Sequence, residues 1–299
     1  MRSSTRRIRS ISGGLWSLAA LGGGVPAHAQ GMGWTLPENI STFGGEIDHL
    51  FYLISWITGL TLVATFAVLG YSILKFRHKP GVKAQHIHGS HKVEIIWTLV
   101  PAGILLFLAL YQTKTWARIK MDIPASPDNV TVQVFAKQFE WNFRLPGTDG
   151  QFGTEDDIYT INDLHIPRDR NVVLEMRSYD VIHSLFMPHL RYKQDIMPGM
   201  TIRGWFQSTK STEQARTERG NPDFKYEIAC TELCGLGHHE MRAKVTIDSP
   251  SDFDAWVAKE SAAAADFAPP ELWENWGRAG GILEIHDLEG HGGSHDDHE

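Results

Sequence analysis

Two long runs without a charged residue dominate the first third of the chain. Leu50–Leu74 reads LFYLISWITGLTLVATFAVLGYSIL, and Ile95–Thr113 reads IIWTLVPAGILLFLALYQT. Each suffices to cross a bilayer, which takes roughly 20 apolar residues. Pro101 is compatible with a span, because neighbouring helices can satisfy the backbone groups it frees. We read membrane helices at 50–74 and 93–116, joined by a loop at 75–92.

From Asn129 the apolar period shortens to two. Val130, Val132 and Val134 share one face of VTVQV, whereas Phe139, Trp141, Phe143 and Leu145 alternate through FEWNFRL with the opposite parity. A parity change within one strand turns its buried face over, so a bulge or bend is expected near Ala136–Gln138. NVVLEMR (171–177), IRGWF (202–206), YEIAC (226–230) and RAKVTI (242–247) read as further strands between Gly/Pro/Asp-rich turns. The expected domain, 117–249, is an antiparallel sandwich or Greek-key barrel. A helix is expected at 250–268, with Ser251 or Asp252 as its cap. The remainder, 269–299, ends in HDLEGHGGSHDDHE, which has almost no apolar content and is expected to be disordered. No internal repeat is evident.

Charge gives the hairpin a direction. The chain opens MRSSTRRIR, with four arginines and no acid, runs through an apolar Gly/Ala-rich stretch and reaches PAHA at Ala29. That order describes a cleavable secretory signal at 1–29. Five Lys/Arg and no acid lie between Lys75 and Lys92, whereas Gln30–His49 has no Lys/Arg and carries Glu38, Glu46 and Asp48. The positive-inside rule therefore places the 75–92 loop in the cytoplasm and the 30–49 segment outside, with everything after Trp116. The formal net charge is −7; without the signal's arginines, 24 basic residues face 35 acidic ones, near −11. Six of those acids sit in Glu284–Glu299. A cationic partner is consistent with this balance and a nucleic-acid role is not.

The chemistry lies in CTELCGLGHHEM, Cys230–Met241, which holds both cysteines of the chain. An exported protein favours disulfides, and two cysteines four apart can be bridged if the backbone brings them close enough. A disulfide leaves the neighbours unexplained: Cys230, Cys234, His238 and Met241 form C-x3-C-x3-H-x2-M. Thiolates, imidazole and thioether are soft or borderline ligands that suit copper better than Mg²⁺ or Ca²⁺; zinc gains little from the methionine. His183, in DVIHS at the end of a strand pattern, supplies a further imidazole. The arrangement resembles a cupredoxin metal site, and two cysteines in place of one suggest two copper ions bridged by both sulfurs.

Over nearly its whole length the chain resembles subunit II of the haem–copper cytochrome c oxidases. The fold that this implies is membrane-anchored all-β, a two-helix transmembrane hairpin followed by a cupredoxin-like Greek-key β-barrel or sandwich. The family's dinuclear copper centre, CuA, is marked by C-x-E-x-C-x3-H-x2-M and an upstream D-V-x-H-S, and both are present. The resemblance implies that Cys230 and Cys234 bridge two coppers. His183 and Met241 would complete one, and His238 with the Glu232 carbonyl the other. It also implies that the Glu232 carboxylate reaches a Mg²⁺ at the interface with subunit I. Electrons would come from cytochrome c or another c-type cytochrome and go to subunit I, where oxygen is reduced. This chain would carry no oxygen chemistry alone. The implied location is a bacterial inner membrane, with the copper domain on the periplasmic side and lipid around the hairpin.

Several features modify that picture. Family members often carry two tryptophans one residue apart, the first receiving electrons; here Phe139 holds that place and Trp141 the second. Glu94, in E-x2-W-T-x2-P, matches the family's proton-path entrance to subunit I. Asp180 and Asp195 also match family positions, as acids that could dock a basic cytochrome or simply be solvated. Met200 stands where relatives commonly have an arginine. Met187, Met197 and Met200 read as packing residues and His239 as a surface residue or neighbour of the site. Asp149, Asp156 and Asp157 offer hard oxygens for Ca²⁺, but 146–157 lacks EF-hand spacing and reads as a long turn. His86, His88 and His91 read as a solvated loop, and histidines 286, 291, 295 and 298 as part of a polar tail. The rival readings are the copper subunit of a nitric oxide reductase and, in another class, a membrane-anchored copper carrier or assembly factor. Nitrous oxide reductase lacks the hairpin, and quinol oxidases generally lack these ligands.

Overall fold

The apolar runs form helices that outlast their uncharged stretches at both ends: α1, Gly44–Phe76, and α2, His91–Lys120. In the most apolar 18-residue stretch of each helix no residue is buried, as lipid-facing helices require; Gly44 and Ile119, towards the β-domain, are buried. The hydroxyls of Ser55, Thr61, Thr65 and Ser72 each donate to the carbonyl four residues earlier at 2.7–2.8 Å, so no hydroxyl among these four meets lipid unpaired. The computed structural model describes residues 35–83, 86, 88–264, 273 and 276. The expected signal at 1–29 and, apart from Trp273 and Trp276, the acidic tail at 269–299 lie outside the described residues. The chain separates into two units, Met1–Pro37 and Glu38–Glu299, and both the hairpin and the β-domain belong to the second.

The outer end of the hairpin is fastened to the β-domain by apolar and charged contacts together. Ile40 and Phe43, just before α1, are fully buried in the domain core. The Ile40 amide donates to His189 O at 2.9 Å, and the Thr209 amide donates back to Ile40 O at 2.8 Å. Arg191 grips Asp48 through two bonds of 2.6 and 3.1 Å, the forked geometry that makes guanidinium–carboxylate pairs strong. Glu46 accepts from Arg118 and Thr115 of α2, and Lys120 reaches Gln194 at 2.7 Å. Helices and domain are therefore joined at the level of these residues.

The domain is a sandwich of ten strands. They are β1 Val130–Lys137, β2 Glu140–Leu145, β3 Ile158–Ile161, β4 Asp163–Pro167, β5 Asn171–Ser178, β6 His183–Met187, β7 Tyr192–Ile196, β8 Ile202–Gln207, β9 Tyr226–Cys230 and β10 Arg242–Asp248. One sheet has the order β3-β2-β1-β5-β8 and the other β4-β10-β9-β6-β7. Each contains one parallel pair, β1 with β5 and β4 with β10, where the sequence pattern suggested antiparallel pairing throughout. Trp141, Phe143 and Leu174 from the first sheet meet Leu164, Leu185 and Ile228 from the second in one buried cluster.

The expected bulge near Ala136–Gln138 is instead a hairpin. β1 and β2 pair antiparallel, with Lys137 opposite Glu140, so Gln138 and Phe139 form a two-residue turn. The parity change reflects the chain turning back, not a kink in one strand. β1 is also buried on both faces, because Trp273 and Trp276 lie over Phe135 with ring centres 5.8 and 5.6 Å away.

Two helices complete the domain. α3, Thr212–Arg219, is capped at its start by Ser211 and Gln214 bonding reciprocally and ends at Gly220, whose φ of 60° suits glycine. α4, Pro250–Ala264, begins one residue before Ser251 and two before Asp252, the expected caps, so both lie inside the helix. Ser249 takes that role, its hydroxyl accepting from the Asp252 amide at 3.2 Å, and Pro250 follows at the first helical position. In the 146–157 turn Asp157 is fully buried. One of its carboxylate oxygens accepts from Arg144 and, at 2.7 Å, from the Gly153 amide, which makes it an internal anchor of the turn.

Candidate metal centre

Sheet order brings the two ligand-bearing motifs together. β9 ends at Cys230, and β10 begins just after Met241, so the CTELCGLGHHEM segment is the loop between paired neighbours. The Cys230 amide donates to Met241 O at 3.1 Å and closes that loop. β6 is the neighbour of β9 on its other side, with Leu185 opposite Cys230. His183 therefore opens a strand, rather than ending one as its sequence surroundings suggest, and its ring points along the sheet end toward the cysteines. The Thr231 amide donates to Ser184 O at 3.0 Å, tying the two loops.

Six donor groups converge. Cys230 Sγ and Cys234 Sγ lie 3.8 Å apart. His183 Nδ1 is 3.9 Å from Cys230 Sγ, and His238 Nδ1 is 3.6 Å from Cys234 Sγ. Met241 Sδ stands 3.8 Å from Cys234 Sγ and the Glu232 carbonyl oxygen 3.2 Å from Cys230 Sγ. The sulfurs are far beyond the bond length of about 2.0 Å in a disulfide, and both thiols are free. Among the described residues, the group of His, Cys and carboxylate side chains able to hold a metal is His183, Cys230 and Cys234, all buried, with donor atoms within 4.8 Å of one another. Two imidazoles aimed by the same ring nitrogen at two sulfurs, with a thioether and a carbonyl at the flanks, suit a soft cation, so the residues present fit copper.

Electrostatics favours a cation between the sulfurs. Burial opposes charge on His183, but hydrogen bonds to Asp180 and Cys230 outweigh it and raise the imidazole to about 9. Burial likewise opposes a Cys230 thiolate, yet contacts with His183 and backbone amides lower it to about 6. Cys234 is pushed up to about 12, by burial and then by the charge on Cys230. These shifts favour one thiolate, Cys230, beside a protonated His183. A second negative sulfur becomes stable only when positive charge lies between the pair.

The other candidate residues are scattered around this core. Trp141 is fully buried, edge-on to His183 with centroids 6.2 Å apart, and its indole N–H donates to Met241 O at 3.4 Å. Phe139, 36% exposed, lies over the metal loop, since a Cβ added to Gly237 would come within 2.6 Å of its ring. The Glu232 side chain is exposed. Glu94 stands at the far end of α2, 3.1 Å from His91 Nδ1, and is not part of the cluster. His239 is exposed and Met187 is core; Met197 and Met200, expected to pack, are exposed at 42% and 50%.

Asp180 and Asp195 do more than face solvent. Asp195 accepts from the buried Ser184 hydroxyl at 2.7 Å, which lowers its pKa and steadies the residue beside His183. Asp180 accepts from His183 Nε2 at 2.8 Å. Ser184 and Gln138 contact the site although no ligand pattern marks them. A polar residue at the parity break was the available signal for Gln138.

Comparison with known proteins follows the same two-part division. The family model described as the transmembrane domain of cytochrome c oxidase subunit II matches residues 29–115, and that of its periplasmic domain matches residues 137–248. An alternative cytochrome c oxidase subunit 2 of Bradyrhizobium diazoefficiens is 30% identical over 264 residues, covering 81% of this chain and 89% of the relative. A cytochrome c oxidase subunit 2 of Thermostichus vulcanus is 26% identical over 326 residues, covering 89% and 91%. A solved periplasmic domain of cytochrome oxidase subunit II from Bradyrhizobium japonicum aligns at 19% identity and a TM-score of 0.38, over 48% of this chain and 99% of that one.

Proposed function

The chain belongs to the cytochrome c oxidase subunit II family, and from that premise we propose that it is the electron-input subunit of a terminal oxidase, holding a dinuclear copper centre at His183, Cys230, Glu232, Cys234, His238 and Met241. It is a membrane-anchored subunit with a periplasmic domain and works within an oxidoreductase complex. The inner membrane of a bacterium is the proposed site, with cytochrome c as donor and the haem–copper subunit I as acceptor. The observation that carries the reading is the buried convergence of two free sulfurs with His183 across two loops. Bound there, a copper pair would supply a one-electron carrier whose charge change is spread over two metals.

The protein's share is to keep that cage still. Three neighbouring strands hold the loop ends, and a buried, close-packed setting resists the rearrangement that would otherwise accompany each electron. The cysteine loop exposes two large apolar side chains, Leu233 and Leu236, at 79% and 99%, and the Phe139 ring lies against its glycines, Gly235 and Gly237. A partner covering these residues would exclude water close above the centre. The Glu232 carboxylate, free of the cluster, is available to a Mg²⁺ at the interface with subunit I.

The deciding experiment is spectroscopic. Copper-loaded full-length chain in detergent should give the optical and paramagnetic-resonance spectra of one unpaired electron shared by two coppers. A colourless protein with Cys230 and Cys234 joined to each other would refute the proposal. Rapid loss of copper to a chelator would favour a carrier instead, and the identity of the partner subunit separates oxygen from nitric oxide as acceptor.

Phe139 and Glu94 carry two further expectations. Phe139 touches the metal loop from the surface, so Phe139→Trp should speed electron input from a soluble cytochrome c in stopped-flow mixing. Unchanged rates with every donor tried would remove the β1–β2 turn from the route. Glu94, at the cytoplasmic mouth of α2, is proposed as the start of a proton path into subunit I. Glu94→Ala should then slow turnover in an oxygen electrode while the copper spectrum stays intact; full activity would count against it.

A further inference from the structure

The β1–β2 turn is hydrogen-bonded to both of the loops that carry candidate copper ligands. The Gln138 side-chain amide donates to Cys234 O, and the Gln138 backbone amide donates to Asp180 Oδ2 at 2.7 Å. The other carboxylate oxygen of Asp180 accepts from His183 Nε2 at 2.8 Å and from the Val181 amide at 2.7 Å. Four segments thus meet in one network: the turn, the β5–β6 loop, the start of β6 and the cysteine loop.

We propose that Asp180 and Gln138 are positioning residues of the metal centre, Asp180 fixing the His183 ring through its Nε2–H and Gln138 linking that carboxylate to the Cys234 carbonyl. The inference rests on the copper reading of this site. An ionised carboxylate can only accept, so the proton of the His183 ring must sit on Nε2. Nδ1 is then the nitrogen that offers a lone pair, and it is the one facing Cys230 Sγ at 3.9 Å. Carboxylate bonding at the far nitrogen fixes the tautomer and ring orientation and makes the imidazole a better donor. Asp180 also has three internal bonds to satisfy, which ties it to the site and leaves little of it for a partner.

Gln138 extends the same control to the second loop. Moving the turn would pull on His183 through Asp180 and on the Cys234 carbonyl through the Gln138 side chain. Phe139, in the same turn, rests on the glycines of the cysteine loop. Contact made at the turn is therefore felt by ligands from both loops.

The test uses the assembled oxidase with Asp180→Asn or Gln138→Met in this chain. Asparagine keeps the shape of Asp180 and loses its charge, so the oxidised centre loses a stabilising partner and its midpoint potential should rise. Each tenfold change in that one-electron equilibrium reads as about 59 mV. Copper retention against a chelator should fall roughly 10–100-fold, as for other residues that support a metal-bound histidine. Gln138→Met should lower copper retention in the same direction with a smaller change in potential. A residue that only caps the turn would lower thermal stability and leave the potential unmoved, and that result overturns the proposal. If Asp180→Asn does not assemble, the unmodified oxidase decides by electron–nuclear double resonance in H₂O and D₂O: a slowly exchanging imidazole proton supports the bond, and rapid exchange overturns it. An unmodified oxidase with no mixed-valence signal sinks the copper reading itself and this inference with it. A normal signal insensitive to Asp180→Asn sinks the inference alone.

Discussion

Cys234→Ser is expected to abolish the proposed two-copper centre and with it nearly all electron input from cytochrome c. A serine hydroxyl is hard and protonated at neutral pH, so it does not replace a bridging thiolate. Cys234 is also the hub of the cluster, within 3.6–3.8 Å of Cys230, His238 and Met241. Its removal detaches the His238 side of the cage and leaves Cys230 beside His183. The variant should hold at most one copper per chain, lose the shared-electron spectrum and oxidise cytochrome c far more slowly. The loss should exceed the roughly 10–100-fold typical of removing an outer partner of a ligand. Steady-state oxidation of cytochrome c by the purified complex, with haem spectra as a control for assembly, measures it. Retention of both the rate and the mixed-valence signal would rule out a bridging role for this sulfur.

Trp141→Ala should give the largest loss of stability, because the indole serves the core and the site together. It is fully buried between the sheets, packs edge-on to His183 and donates to Met241 O. Truncating a buried tryptophan costs about 3–5 kcal/mol, through lost burial and the cavity left behind. In a domain of this size that lowers the unfolding midpoint by on the order of 10 °C, at about 2–4 °C per kcal/mol. Trp141→Phe keeps a ring against His183 and gives up only the N–H bond and some volume, so it should fall between the two. Calorimetry of the copper-loaded full-length protein orders the three. An alanine variant melting with the parent would show that the site does not depend on this packing.

Strands with long apolar alternation were legible from the chain itself. β5, β8, β9 and β10 lie within a residue or so of NVVLEMR, IRGWF, YEIAC and RAKVTI. β3, β4, β6 and β7 have four or five residues each, and none has three apolar residues at alternate positions, as the equally short YEIAC of β9 does. α3 does carry a capping signal, Ser211 followed by Gln214, but its TEQARTER sequence has almost no apolar stripe to announce a helix. Packing decides for such segments, since their own propensities are weak.

The β1–β2 hairpin shows the same limit at the site. Lys-Gln-Phe-Glu contains no glycine, asparagine, aspartate or proline to mark a turn, so the run from Val130 to Leu145 reads as one strand. What holds the turn comes from elsewhere in the chain: Asp180 takes the Gln138 amide, Cys234 O takes its side chain, and the glycines of the cysteine loop make room for Phe139. The turn and the metal loops stabilise one another.

What the amino-acid order settled alone was whatever depends on composition or short spacing. Uncharged length makes the two membrane helices, because lipid offers no partner for a bare peptide group. Ligand types four and three residues apart announce a soft-metal loop. Only the tertiary structure could decide that His183 opens a strand beside β9, that Asp180 faces its ring and that Gln138 joins the two loops. The long-range contacts among them span 42 to 96 residues of chain, and no local pattern specifies them; they come from which strands lie side by side.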